Sequence, residues 1–159
     1  MHARIIAPLP SPAPDSDRSR TIATGGALAA RLALAELIVH HGNEPPLHRH
    51  HHEDLVVYVV DGALTFHIDG RSEPVTAGSC VFLPRGTEHG YVVSSGRAHL
   101  LVILAPGGAE GYLATLHDPD RARLSTTDER SGEAIERLIA LAARHGIDIA
   151  GPPPDRGER

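Results

Sequence analysis

Between Thr21 and about Leu104 the chain consists of short apolar and β-branched runs separated by turn-forming residues at roughly 8–12-residue spacing, the pattern of a sandwich or barrel. Strands are predicted at Leu28–Val39, Leu55–Val60, Ala63–Ile68, Cys80–Leu83, Gly90–Val93 and His99–Leu104. The breaks have turn chemistry: Gly42-Asn-Glu-Pro-Pro46, Asp61-Gly62, Asp69-Gly70, Ala77-Gly78, Pro84-Arg-Gly86 and Ser95-Gly96. Asp61-Gly62, between two such runs, predicts a two-residue hairpin. By propensity alone the first run, Leu28-Ala-Ala-Arg-Leu-Ala-Leu-Ala-Glu-Leu, favours helix. The alternation of Leu28, Ala30, Leu32 and Leu34, followed by Ile38-Val39, nevertheless assigns it to a strand with those alternate residues facing a core.

The two ends of the chain differ in kind. Residues 1–20, with four prolines between Pro8 and Pro14 and then Asp15-Ser-Asp-Arg-Ser-Arg20, show no periodicity that could bury a face and read as a flexible tail. Residues 21–115 form the expected barrel and 116–150 a helical extension, with 151–159 as a second flexible tail. In the extension, Asp128 or Ser131 caps a predicted helix running to about Arg144, with Ile135, Leu138, Ile139 and Ala142 on one face and Gly146 at the C′ position. Ile147-Asp-Ile-Ala150 follows as a short docked segment, and the helix is expected to pack on the barrel or serve as a dimer contact.

Composition narrows the chemistry. A chain of 159 residues, 41% hydrophobic, fits one domain with a real core. All 15 Lys+Arg residues are Arg, which excludes Schiff-base, pyridoxal-lysine and P-loop chemistry, because each needs a primary amine. The single Cys80 excludes an internal disulfide and any multi-thiolate cluster, and is expected to behave as a small buried hydrophobe. A formal charge of −5 and five aromatic residues, three Tyr and two Phe, argue against nucleic acid as a partner. No apolar run approaches the ~20 residues of a membrane span, and Met1–Pro14 lacks the apolar core of a signal peptide, so a soluble, cytoplasmic protein without membrane partners is expected.

What composition adds positively is histidine. Of the 12 in the chain, six fall between His40 and His52. In a strand, residues i and i+2 share a face, so His48 and His50 can present imidazoles to one point while Arg49 and His51 face away. A third, His89, arrives after the Pro84-Arg-Gly86 turn. Three neutral imidazoles suit Fe(II), Zn, Ni, Mn or Cu.

These residues resemble the two motifs of the cupin superfamily. The first, G-x5-H-x-H-x4-E-x6-G, is matched by Gly42, His48, His50 and Gly62; the second, G-x5-P-x-G-x2-H-x3-N, by Gly78, Pro84, Gly86 and His89, with Val93 at the closing Asn position. The resemblance covers about residues 24–106. The phrases Leu141-Ala-Ala-Arg-His-Gly-Ile-Asp-Ile-Ala-Gly-Pro-Pro-Pro154 and Pro106-Gly-Gly-Ala-Glu-Gly-Tyr112 also look like small single-domain cupins grouped with quercetin 2,3-dioxygenases. The position of the motif's metal-ligating carboxylate holds Leu55. Either His48, His50 and His89 form a three-His metal site, or the loop shifts so that Glu53 or Asp54 supplies the carboxylate.

The resemblance implies an all-β jelly-roll barrel (a double-stranded β-helix) with a C-terminal α-helix, a divalent metal, Fe(II) favoured, a small-molecule substrate and a homodimer. The function it implies is a metal-dependent dioxygenase acting on a small oxygenated aromatic or polyketide-like compound. The alternatives are a non-oxidative isomerase, cyclase or decarboxylase, and a non-catalytic small-molecule-binding cupin, to which Leu55 points. The pocket is expected to be lined by Leu, Val and Ile, because aromatics are scarce. Tyr58 is a candidate phenol for it and His52 a minor candidate ligand; Arg85 and Glu88 could orient His89 or a substrate. His51 is expected in solvent or behind the ligands, and His67 and His99 on polar strand faces.

Overall fold

The computed structural model describes residues 20–23, 31–109, 111–113 and 132–154. The stretch read as an N-terminal tail therefore lies outside the described residues except for Arg20, as do Leu28, Ala30 and both candidate helix caps. Strands run over β1 (Arg20–Ala23), β2 (Ala33–His40), β3 (Leu47–His50), β4 (Asp54–Asp61), β5 (Ala63–Ile68), β6 (Arg71–Thr76), β7 (Cys80–Leu83), β8 (His89–Val93), β9 (Arg97–Ala105) and β10 (Ile147–Gly151), with helix α1 at Gly132–Arg144 before β10. They form two five-stranded antiparallel sheets, ordered β1-β2-β9-β4-β7 and β10-β3-β8-β5-β6, which make an all-β jelly roll with a C-terminal helix. No helix among the described residues is long and apolar enough to cross a membrane.

Period-2 burial builds the core. Leu37 and Val39 of β2, Leu55, Val57 and Val59 of β4, and Leu100, Val102 and Leu104 of β9 face Leu64 and Phe66 of β5 and Val93 of β8. In β2 the buried set is Ala33, Ala35, Leu37 and Val39, the opposite parity from that expected. The reason is Glu36, which shares a face with Leu34 and Ile38: its carboxylate takes a hydrogen bond from His99 Nε2 at 2.8 Å on the outer side, and a one-residue slip would bury it.

The predicted hairpin at Asp61-Gly62 does not form. β4 pairs with β7 and β9, β5 with β6 and β8, so at Gly62 the chain leaves one sheet and enters the other. A side chain there would be strained twice, because φ is +93° and a Cβ would stand 2.6 Å from the Arg97 carbonyl oxygen. The tight hairpin is instead Asp69-Gly70, where Ile68 pairs with Arg71 and both turn residues have positive φ (46° and 77°), as a type I′ turn requires.

Four strands, β1, β3, β6 and β10, are not among the runs predicted, although the reading of His48 and His50 presupposed strand geometry at β3. β6, Arg71-Ser-Glu-Pro-Val-Thr76, is a polar edge strand, where a proline is tolerated. β10, the segment read as docked, adds to the open edge of β3. On α1, Leu138, Leu141 and Ala142 pack against the core, whereas Ile135 and Ile139 are exposed, so the buried stripe is narrower than expected. Cys80, expected to be buried, is exposed on an edge strand.

Candidate metal centre

β3 places His48 and His50 on the inner face of its sheet and Arg49 on the outer, where Arg49 pairs with Glu88. β10 supports this strand from outside, Ile147 opposite His50 and Ile149 opposite His48. The third imidazole comes from the first residue of β8: His89 is the direct cross-strand partner of His48. The turn before it is held by Gly86, whose N–H donates to the His50 carbonyl at 2.7 Å, and by Arg85. Arg85 donates to Asp54 through its backbone N–H (2.9 Å), its Nε (3.0 Å) and its Nη2 (2.9 Å). Arg85 and Glu88 thus tie the turn to β4 and β3 from outside and do not orient His89 by contact.

The three imidazoles are 6%, 1% and 4% exposed for His48, His50 and His89, and offer ligand atoms all within 4.8 Å of one another. Ring centroids are 5.2 Å apart for His48 and His50, 4.4 Å for His48 and His89, and 5.6 Å for His50 and His89. Each Nδ1 is engaged on the far side. His48 Nδ1–H donates to the Pro46 carbonyl at 2.8 Å, His89 Nδ1–H to the Thr87 carbonyl at 2.9 Å, and His50 Nδ1–H reaches Glu53 Oε2 at 3.4 Å. Such bonds select one tautomer and leave Nε2 as the ligand atom. His50 Nε2 is buried and has no hydrogen-bond partner among the described residues. Burial holds the His89 imidazolium pKa down to about 4, against the raising effect of the Thr87 carbonyl, so His89 is neutral, the form that binds metal.

These residues fit a divalent ion. Nitrogens bound to one ion at about 2.1 Å stand roughly 3–4 Å apart, so the trio lies close to a coordinating arrangement and would draw together on binding. The shifted-carboxylate alternative is not what the fold builds. Glu53 is buried, but its carboxylate stands behind His50 at Nδ1. Asp54 points to the outside, where the Arg85 guanidinium and N–H hold its carboxyl down to about 2. Leu55 turns inward and lines the cavity.

Other candidates fall away from the site. β3 ends at His50, so His52 leaves the inner face and lies exposed against Gly146; His51 is exposed and donates to Asp148 at 2.7 Å. Tyr58 has outer parity on β4 and is exposed. His67 and His99 take polar positions as expected, bonding Ser72 and Glu36.

The cavity below the imidazoles measures about 430 Å³ including its opening, with His48 and His89 in its wall. Its apolar lining includes Leu37, Leu55, Val57 and Leu100, as expected, and also two of the five aromatics, Phe66 and Tyr91. The phenol that reaches this space is therefore Tyr91, which sequence reasoning missed. The available signal was spacing: Tyr91 lies two residues after His89 and shares its face. Burial, and secondarily the nearby Glu44 charge, push its ionisation upward, so it remains a hydrogen-bond donor.

Comparison with known proteins agrees with this architecture. Residues 35–112 match the family model described as a cupin domain. Over 72 residues, 45% of this chain, the sequence is 29% identical to Quercetin 2,3-dioxygenase of Bacillus subtilis (strain 168), and it spans only 21% of that relative's length. Among solved structures, KdgF from a Halomonas species aligns with a TM-score of 0.53 and 20% identity, over 58% of this chain and 82% of that one. A predicted oxalate decarboxylase from Thermotoga maritima aligns at 0.53 and 21%, over 55% and 78% of the two chains. At these identities the structural likeness is one of fold.

Proposed function

The chain belongs to the cupin family, and from that premise we propose that it is a metal-dependent enzyme, a dioxygenase acting on a small oxygenated aromatic or polyketide-like substrate, with His48, His50 and His89 as the metal ligands. The observation that carries this reading is the His50 imidazole, buried, held at Nδ1 by Glu53, and without a hydrogen-bond partner at Nε2 among the described residues. Leaving such a group unsatisfied costs about 1–3 kcal/mol, which metal coordination would offset. Fe(II) is the proposed ion; when bound it would supply Lewis acidity and, as iron, redox chemistry toward dioxygen.

The chain's own residues do the rest. Three neutral imidazoles leave the positive charge of the ion uncompensated, so an anionic enolate or catecholate is favoured beside them. Leu37, Leu55, Val57 and Phe66 exclude water from that contact and strengthen it. The relative with quercetin 2,3-dioxygenase activity supports the substrate class, although the two share only the matched segment.

Leu55 is the observation that favours a second reading. Without a carboxylate in the trio, the site suits Lewis-acid isomerisation, cyclisation or decarboxylation, or binding without turnover. The test is anaerobic reconstitution with Fe(II), elemental analysis, and then oxygen uptake with catechols and flavonols. About one ion per chain and substrate-dependent oxygen uptake are expected. Full loading with turnover but no oxygen uptake moves the assignment to the non-oxidative class, and a stoichiometry well below one with every plausible divalent ion overturns the metal-dependent reading.

A homodimer is also proposed. Outward-facing Val56, Phe82, Ile103 and Leu34 lie in one cross-strand row on the β1-β2-β9-β4-β7 sheet, with Tyr58 and Leu101 in the next, and Phe82 is 61% exposed. An apolar face of this kind suits an isologous contact between two copies.

A further inference from the structure

The cavity contains one polar side chain besides the imidazoles, and its polar atom is not matched by any of the described residues. Tyr91 follows His89 on β8 with the same parity, roughly 7 Å along the strand. Its ring lines the cavity and meets Phe66 at 5.6 Å, tilted by 51°. The position is constrained, since Phe66 is the direct cross-strand neighbour of Tyr91. The hydroxyl is buried and has no hydrogen-bond partner among the described residues. Packing alone does not account for it. Phenylalanine would supply the same ring without stripping a hydroxyl of water.

Glu44 bears on what the hydroxyl could meet. This buried carboxylate accepts from the N–H groups of Gly42 at 3.0 Å and Val93 at 3.3 Å, and its negative charge opposes an anionic group at the Tyr91 end of the cavity. The imidazole end has the opposite preference once it holds a cation. Between the two ends the cavity walls are apolar.

We propose that the Tyr91 hydroxyl is a second anchor for the substrate: the cavity takes an apolar molecule with one oxygen function at the three imidazoles and a second, neutral oxygen, a carbonyl or hydroxyl, that accepts a hydrogen bond from Tyr91. The first oxygen rests on the metal-dependent reading above; the second does not. In that role Tyr91 is a specificity-determining residue, because a substrate lacking the second oxygen leaves a buried donor unmatched, a more effective discrimination than a hydrophobic wall provides.

The test uses the full-length, metal-free protein and cyclopentanone as probe, with methylenecyclopentane as its isostere lacking the acceptor. In the unsubstituted protein the bound ketone should show a carbonyl infrared band shifted to lower frequency than in Tyr91→Phe and than in cyclohexane, and the ratio of ketone to isostere affinity should be about three- to tenfold higher than in Tyr91→Phe. Tyr91→Phe should return the band to the frequency seen in an apolar solvent, with its thermal transition retained or raised. The same carbonyl frequency in both proteins, or the same affinity ratio in both, overturns the proposal, as does a band in the unsubstituted protein at its cyclohexane frequency, a comparison that needs no variant to fold. Separate measurement of metal content keeps the two readings apart: a shifted carbonyl band in a protein that takes up no metal upholds the Tyr91 anchor while overturning the metal-dependent reading.

Discussion

His48 and His89 are direct partners across two neighbouring antiparallel strands, and their imidazoles meet with ring centroids 4.4 Å apart. Forty-one positions of sequence separate them, 89 minus 48, yet one register position brings them to one point with His50. Removing either should open the trio. His48→Ala and His89→Ala are each expected to weaken metal binding more than about 100-fold, beyond the range for groups that only support a ligand. Competition with a chromophoric chelator measures this, and retention of near-native affinity in either variant would remove that residue from the site.

Glu53 acts through His50. Its carboxylate stands 3.4 Å from His50 Nδ1 in a buried setting, where it favours the tautomer that offers Nε2. Glu53→Gln keeps the shape and removes the charge, and should lower metal affinity about 10–100-fold without changing the number of ions bound at saturation. An unchanged affinity in the same titration would reduce Glu53 to a packing role.

Acid should destabilise the metal-free protein through His89. Its pKa is lowered from 6.5 to about 4 by burial, so between those values the unfolded chain binds a proton that the folded chain does not. The stabilisation of the fold is complete above pH 6.5, falls as pH drops toward 4, and levels off below; the full change is about 3 kcal/mol. Urea unfolding across that window checks the slope, and His89→Gln should flatten it.

Gly62 makes the step from one sheet to the other in a conformation and a space that exclude a side chain. Gly62→Ala should cost about 2–4 kcal/mol, more than an ordinary glycine substitution, because positive φ and the clash with the Arg97 carbonyl act together. Denaturant titration would detect it. By contrast Gly78→Ala, where a Cβ meets nothing within 4 Å, carries only the strain of φ +88° and should cost less.

The apolar row around Phe82 gives a prediction about assembly. Phe82→Glu should shift the protein to monomers in analytical ultracentrifugation while leaving metal content unchanged, since Phe82 lies on the outer side of its sheet. A dimer of unchanged strength would place the contact elsewhere on the surface.

Much of the fold and the trio was readable because each depends on short-range rules. Apolar runs bounded by turn residues located β5 and β7 to the residue, and the i, i+2 rule put His48 and His50 on one face before any partner was known. What could not be read was which strand each would join. Asp61-Gly62 and Asp69-Gly70 have the same turn chemistry, yet only the second closes a hairpin. The outcome depends on which neighbours β4 and β5 find in separate sheets, a matter of long-range pairing. The parity of β2 was undetermined for a related reason: Ala, Leu and Ile occupy both of its faces, and the cost of burying Glu36 decides between them.

The β architecture, the turn that delivers His89 and the absence of a ligating carboxylate at Leu55 follow from local propensity and residue identity alone. Tertiary structure decided the roles of the neighbours. It set Glu53 behind His50, turned Asp54 outward to Arg85, sent Tyr58 to the surface and brought Tyr91 to the cavity. Each of those outcomes turns on which face of a strand is enclosed by the opposite sheet, and only the packed pair of sheets defines an inside.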